Sequence, residues 1–340
     1  MQIALQAASP VSENKPGYAD LRRQLAQAGL LHKRPVLYLP YVFLTLALSV
    51  SLVVELTAFS GLIALTLGAL LLSQAFMQVT YIAHDAGHGQ VFESRKRNRL
   101  LFHFTCFING TSGLWWTDKH TRHHAAPNHE GIDSDIDIPI LAFSQAQAES
   151  KRGFARFLVR RQGWLCLPMM TLQSIYPQVQ SVTFLLRTRP NAYRRHLLAL
   201  AVHHFLLASG LVLLVGPWAA LYVAFVAYCL FGVHMSLAFI TNHTAMPLTE
   251  DGRIQLSFMA TQLRTTRNVT TNQIGDLLYG GLHYQIEHHL FPALPRPNLR
   301  KASPIIRNYV EAAGLRYDAC SVRHVYGDIL RHMRAVASAA

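Results

Sequence analysis

Four long apolar runs organise the chain. Residues 36–59 and 61–83 form one pair, joined at Ser60-Gly61, and residues 197–215 and 218–240 form another, broken at Gly216-Pro217. As helices rising 1.5 Å per residue, such runs match a hydrocarbon core of roughly 30 Å. Glycine and proline are the usual punctuation between such elements, so the pattern predicts four membrane crossings in two hairpins. No lysine or arginine occurs between Pro35 and Ser94, or between His196 and Gly252, whereas Arg22, Arg23, Lys33, Arg34, Arg95, Lys96, Arg97 and Arg99 flank the other ends of the runs. By the positive-inside rule both termini and all the segments joining the hairpins are expected on the cytoplasmic side. Buried core helices of a soluble protein fit this length and charge asymmetry far less well.

The remaining segments read differently. Residues 100–116 are apolar but broken by Asn109, Gly110 and Gly113. A fifth crossing there would carry His120 to the opposite side of the bilayer from His84, so the stretch is expected to be re-entrant or interfacial, with Trp115 and Trp116 at headgroup level. The first 35 residues lack the apolar run of a secretory signal peptide. Within them, residues 20–31 fit either an amphipathic helix on the inner leaflet or a solvated leader. Residues 125–193 are polar and mixed. The expected architecture is an all-α integral membrane protein: a cytoplasmic N-terminal segment (1–35), then one domain (36–340) whose cytoplasmic helical cap comprises residues 84–196 and 241–340.

Composition sharpens this reading. With 51% hydrophobic and 14% charged residues, the chain is too apolar for an ordinary soluble enzyme of 340 residues. The net charge of +13 would suit nucleic acid if it were spread evenly. The complete absence of lysine and arginine from the four apolar runs points instead to a membrane protein. Cys106, Cys166, Cys229 and Cys320 stand far apart, giving neither a disulfide framework nor a thiolate metal knuckle.

Histidine supplies the candidate chemistry. Three compact groups occur: His84-Asp-Ala-Gly-His88, His120-Thr-Arg-His123-His124 and Gln285-Ile-Glu-His288-His289. Residues three and four apart share a helical face, so each group can present its side chains to one point. Neutral imidazole is the commonest protein ligand for transition metals, and seven such rings exceed what one ion holds. Two ions are expected. His243 lies just past the fourth apolar run, at the depth of the other groups, and is preferred to His234, nine positions earlier and on the opposite side of that helix. His203 and His204, inside the third run, are expected to be structural, as are His103 and His129. Asp133, Asp135 and Asp137 lack the spacing of a calcium loop and read as a solvated loop or as outer partners of the histidines. Imidazole ligands are oriented by a hydrogen bond from their second nitrogen; Asp85, Glu287, Asn242 and Asp118 are the candidates for that role.

These residues resemble the membrane fatty acid desaturases, specifically the front-end type whose third histidine box begins with glutamine. The likeness rests on His84-Asp-Ala-Gly-His88-Gly89, on residues 116–128 with their Lys-His-Thr-Arg-His-His core, on residues 262–269, and above all on Gly280-Gly-Leu-His-Tyr-Gln-Ile-Glu-His-His-Leu-Phe-Pro292. It runs from about the second apolar run to Arg300. The resemblance implies two iron ions that use O2 to remove two hydrogens from an acyl chain. It implies His84, His88, His120, His123, His124, His243, His288 and His289 as ligands, with Gln285 in the slot of a histidine, where it coordinates directly, through water, or not at all. His283 stands where relatives commonly have asparagine; two residues before Gln285, it points away.

Substrate and partners are expected on the same footing. The substrate is an acyl-lipid or acyl-CoA, its phosphate paired with Lys119, Arg122, Arg264 or Arg267, with Arg296 also near the boxes; attraction of anionic lipid is an equal reading of these charges. The fused cytochrome b5 domain of many front-end relatives is marked by His-Pro-Gly-Gly, which this chain lacks. A separate ferredoxin or cytochrome with its reductase is therefore the expected electron donor, and the plasma membrane of a bacterium the expected location. The competing readings are a membrane di-iron hydroxylase or carotenoid-modifying oxygenase and, from a non-catalytic class, a zinc-binding membrane receptor.

Overall fold

A computed structural model describes residues 17–249 and 256–340. Residues 1–16 of the N-terminal segment lie outside the described residues. The chain is mostly helical. In order come Tyr18–Gln27 (α1), Leu39–Ala58 (α2, entered through a single tight turn at Pro35–Tyr38), Leu62–Gly87 (α3), Arg95–Ile108 (α4) and Gly113–Ala125 (α5). Then come Gln145–Ser150 (α6), Gly153–Val159 (α7), Gln162–Met170 (α8), a tight turn at Thr171–Ser174, and Tyr176–Thr188 (α9). Tyr193–Val215 (α10) and Pro217–His243 (α11) precede Phe258–Thr265 (α12), Asn268–Thr270 (β1), Gln273–Leu278 (α13) and Gln285–Leu290 (α14). The chain closes with Arg296–Ala312 (α15), Ala319–Ser321 (β2) and Val322–Ala337 (α16). β1 and β2 pair in parallel, Val269 opposite Cys320.

Among the described residues, four helices are long and apolar enough to cross a membrane: Pro35–Ala58, Leu62–Gly87, Tyr193–Val215 and Pro217–His243. Phe43, Val50, Ile63, Leu213 and Phe225 all stand exposed on them. Such surface is untenable in water and ordinary against lipid tails. α3 is the axis of the group. Over half of its most apolar stretch is buried, against 6% for α2, and it packs on α2, α4 and α11. Phe76, Met77 and Tyr81 of α3 join Val223, Phe231 and Met235 of α11 in the main core, which continues into Ile329 and Met333 of α16.

The spanning helices run further than the apolar pattern predicts. α3 extends to Gly87 and α11 to His243, so His84 and His243 belong to the same rigid helices as the spans. A helix rod fixes the height of its last turn relative to its first, and the histidines inherit that precision.

α1 also departs from expectation. Its periodicity is amphipathic, but Leu21 and Leu25 are fully buried against Ile306, Tyr309 and Val310 of α15, not against a leaflet. Burying each leucine stabilises this docking by roughly 1.5–3 kcal/mol. Tyr18 adds a hydrogen bond to the carbonyl of Leu290 and a ring stacked on Phe291, 5.0 Å between centroids. The N-terminal helix thereby braces the segment immediately after the third histidine group.

Candidate metal centre

Four elements deliver the histidines. His84 sits in the last turn of α3 and His88 at its cap; His120, His123 and His124 lie on α5; His243 ends α11; His288 and His289 lie on α14. The short α14 is held in place by its approach. Gly280 adopts φ +57° with the Tyr81 ring pressed against its α-carbon, so any side chain there would meet both the ring and a disfavoured backbone conformation. Asn268 then accepts from the backbone N–H of Ile286 at 2.8 Å.

The rings form two groups. His84, His88, His120 and His288 offer nitrogens that all lie within 4.8 Å of one another, and so do His123, His243 and His289. His124 lies between them. Its Nε2 is 3.1 Å from both His120 Nε2 and His288 Nε2, while its ring stacks on His289 at 4.3 Å. His88 Nε2 and His120 Nε2 approach to 2.8 Å, and Trp116 stacks on His120 at 4.2 Å. All three sequence groups and His243 are thus brought together.

The donor set fits transition-metal cations. Nitrogens facing one another at 2.8–3.1 Å cannot all carry protons, and His84 Nδ1 and His289 Nε2 are buried without a hydrogen-bond partner. Burial holds His88, His120, His124, His288 and His289 well below the ordinary histidine pKa, and neighbouring imidazoles push the same way. Neutral rings with converging lone pairs are what imidazole-binding cations require. The cysteines take no part: Cys106 is buried elsewhere, its thiol pushed up to about 12 by that burial.

Outer partners differ in part from the expected ones. Asp133, fully buried, accepts from His123 Nδ1 at 2.9 Å, with Asp135 3.2 Å from the same nitrogen. Asp133 also accepts from the backbone of Asn128 (2.8 Å) and Asp135 (2.9 Å). Burial opposes its charge, but the hydrogen bond and charge of His123 prevail, and its carboxyl is held below the usual value. Gln262 Oε1 lies 2.8 Å from His289 Nδ1, and the Thr265 carbonyl 3.1 Å from His243 Nδ1. Sequence reasoning missed Gln262 and Thr265 as partners. The acidic loop behind the second group was a usable signal for Asp133; a main-chain carbonyl such as that of Thr265 leaves none.

The four side chains expected in this role fare unevenly. Asn242 holds Gln285: its Nδ2 donates to Gln285 Oε1 at 3.2 Å, leaving Gln285 Nε2 3.0 Å from His243 Nε2. Asp85 is engaged by Arg296 at 2.6 Å, and its nearer oxygen to His84 Nδ1 is 3.6 Å away, beyond a hydrogen bond. Glu287 is fully buried with Asn268 and Tyr317 and meets no histidine; burial raises its pKa against the pull of those two bonds. Asp118 pairs with Arg122 at 2.8 Å on the surface, again without a histidine.

Among the basic candidates, Lys119 is paired with Asp135 and Arg122 with Asp118. Both line a cleft of about 200 Å³ between α5 and α9, with Trp115, Tyr176, Phe184 and Arg187. Arg264 is exposed at the end of α12. Arg267 points inward instead, donating to the carbonyls of Thr241 and Thr244 at 2.8 Å and pairing with Asp328 at 3.2 Å. Arg296 is likewise buried beside Asp85. His234 bonds to the Leu278 carbonyl at 2.8 Å, away from the centre, and His203 packs against Gly110. His283 lies 2.8 Å from Asp276, its pKa held below the ordinary histidine value by burial against the pull of that carboxylate.

A helical membrane protein that gathers two adjoining imidazole clusters from the ends of two spans and from two shorter helices belongs to a narrow class, that of membrane proteins with histidine clusters able to hold metal. The chain belongs to the fatty acid desaturase family, whose model matches residues 57–321. It is 30% identical to a Delta(8)-fatty-acid desaturase of Euglena gracilis over 90% of this chain and 75% of that one. A Delta(8)-fatty-acid desaturase of Helianthus annuus is 30% identical over 96% and 74%, and a Delta(5) fatty acid desaturase of Caenorhabditis elegans 28% over 88% and 69%. The chain is therefore an enzyme of lipid metabolism, and the receptor reading falls away.

Proposed function

We propose that the chain desaturates a fatty acyl chain with O2 at a two-iron centre held by His84, His88, His120, His123, His124, His243, His288 and His289. The observation that carries this reading is the pairing of two imidazole clusters, each within 4.8 Å, in a member of the desaturase family. Bound there, the irons supply an oxidant strong enough for an unactivated methylene, with O2 as terminal acceptor; two hydrogens from substrate, two electrons from a donor and two protons account for two waters. Zinc, without redox chemistry, would not serve.

The protein's own residues orient and shield. Asp133, Gln262 and the Thr265 carbonyl fix the rings of His123, His289 and His243, and Asn242 turns the Gln285 amide toward the second cluster. Trp116 covers His120 and limits water there. The acyl chain approaches from the bilayer between the spans, which we read as two hairpins with both termini and the 84–196 and 241–340 cap cytoplasmic. Its phosphate-bearing head group lies near Lys119 and Arg122 at the α5–α9 cleft.

Insertion between an existing double bond and the carboxyl end is supported by the Gln285 form of the third box and by relatives that act at Delta(5) and Delta(8). Electrons come from a separate ferredoxin or cytochrome with its reductase, a partner for which the net charge of +13 supplies a basic docking surface. Activity in purified membranes independent of any redox partner would overturn that part.

The decisive experiment is expression in a host without polyunsaturated fatty acids, feeding of defined acids, and location of new double bonds by mass spectrometry. An alcohol product would replace desaturation with hydroxylation. Metal analysis of the purified protein should return two irons per chain.

A further inference from the structure

The face of α9 that meets the surroundings is apolar where a water-facing helix would be polar. Before the polar end at Arg187 and Thr188, its exposed positions are Val179, Val182 and Leu186, which with Ile175 just ahead of the helix fall at i, i+4, i+7 and i+11, a single helical stripe. Two polar residues on the other side turn inward: Gln178 donates to the Asn109 carbonyl at 3.4 Å and to Tyr228 at 3.2 Å, and Ser181 accepts from the backbone of Ser112 at 2.9 Å. Leu172, in the turn before α9, is exposed as well.

Contacts with α11 give the depth. The Met170 and Thr171 carbonyls abut Gly232, where even a methyl group would be 2.8 Å from the Met170 oxygen; only glycine lets the two backbones meet. Ser236 donates to the same Met170 carbonyl at 3.2 Å. Gly232 lies fifteen residues beyond Pro217, about 22 Å along a helix that must cross roughly 30 Å of hydrocarbon, so the Met170–Ser174 turn sits several ångström inside the acyl-chain region. The neighbouring turn between α4 and α5 reaches a similar depth, with Asn109 donating to Thr80 of α3 at 2.9 Å.

Charge identifies the surroundings. From Lys151 to Arg195 there are nine lysines and arginines and no aspartate or glutamate. Arg160 and Arg161 precede the dip, Arg187 and Arg189 come after it, and all four are exposed. Trp164, 80% exposed beside Arg334, stands at the rim, where tryptophan favours the headgroup layer.

We propose that residues 162–188 form a second re-entrant element: α8 descends along α11, the Thr171–Ser174 turn and α9 bed in the leaflet on the histidine-bearing side, and the flanking arginines bind anionic phospholipid headgroups. The stretch read from sequence as part of a polar cap is membrane-seated. The proposal rests on the four spans and not on the catalytic reading, so it stands or falls separately.

The test uses the full chain in lipid nanodiscs with a nitroxide on Val179→Cys, compared with one on Glu149→Cys of α6, each corrected for labelling of the unsubstituted protein. Relaxation of the Val179 label by O2 should exceed that by an aqueous nickel chelate several-fold, with the order reversed for Glu149. Equal accessibility of both labels to the chelate would overturn the embedding. Shielding of Val179 from both reagents, with broadening between labels, would replace the lipid with a second copy of the chain. Spin-labelled phosphatidylglycerol should show a several-fold larger motionally restricted fraction than phosphatidylcholine, and the excess should vanish in an Arg160→Gln, Arg161→Gln, Arg187→Gln, Arg189→Gln variant. Equal restriction of the two lipids by the unsubstituted protein would overturn the headgroup assignment.

Discussion

The two imidazole clusters are built on different terms. In the second, each ring is gripped from behind by protein: His123 by Asp133, His243 by the Thr265 carbonyl, His289 by Gln262. The first has no equivalent support at His84, whose Nδ1 is unpaired and whose nearest carboxylate, Asp85, is committed to Arg296. One carboxylate orients an imidazole; the other anchors a buried arginine that also lies 4.1 Å over the Tyr41 ring. The second cluster is therefore preorganised by hydrogen bonds, while His84 is held only by packing against His88, Trp116, His120 and His288. Similar residues, an aspartate near a histidine box, do different work because tertiary contacts assign their hydrogen bonds.

This contrast can be broken experimentally. The largest effect is expected from His288→Ala or His289→Ala: product should fall below detection by gas chromatography while membrane-embedded protein stays at similar abundance. Persistence of product from either variant would mean that its cluster is dispensable.

Asp85→Asn and Asp133→Asn should then separate. Asp85→Asn strands a buried guanidinium and should destabilise the protein by roughly 3–5 kcal/mol in thermal or denaturant unfolding. Asp133→Asn should leave stability closer to that of the parent but weaken one of the two metal sites by about 10–100-fold, measured as iron retained against a graded chelator. Gln262→Ala belongs with Asp133, at the lower end of that range. Equal loss of stability in both aspartate variants, with iron unaffected in both, would erase the distinction.

A pH series sharpens it further. Histidines held neutral by burial bind fewer protons folded than unfolded, so they favour the folded state fully above about pH 6.5 and progressively less below it. The metal-free protein should unfold more easily as pH falls from 6.5, with a slope exceeding one proton, since five rings share the downward displacement. A flat profile between pH 6.5 and 5 would mean the rings are open to solvent. The smallest effect is expected from Asp118→Ala. Its pair with Arg122 is about half exposed on both sides, so stability should change by no more than about 1 kcal/mol and iron content not at all.

Much of this was legible in the chain. The i, i+3, i+4 histidines announce their shared faces, and the apolar runs give the four candidate spans to within a few residues. Helical phase allowed only one of His234 and His243 to face the centre, because 3.6 residues per turn is a property of the backbone, and depth at the end of the fourth run favoured His243. Asp118 illustrates the limit. It lies two residues before His120, so local spacing places it near the box, but spacing does not say whether an arginine one turn away will claim it. Arg267 looked like a surface cation beside a motif and is an interior donor to α11, since charge in a sequence carries no depth.

The amino-acid order by itself determined the spans, the three histidine groups and the faces they share, because these derive from local periodicity and from the thickness of a bilayer. Tertiary structure decided which carboxylate holds which ring, that α1 docks on α15, and that α9 turns its apolar stripe outward. Those outcomes depend on contacts between residues tens to hundreds of positions apart, where hydrogen-bond partners and buried surfaces compete, and no local rule ranks the competitors.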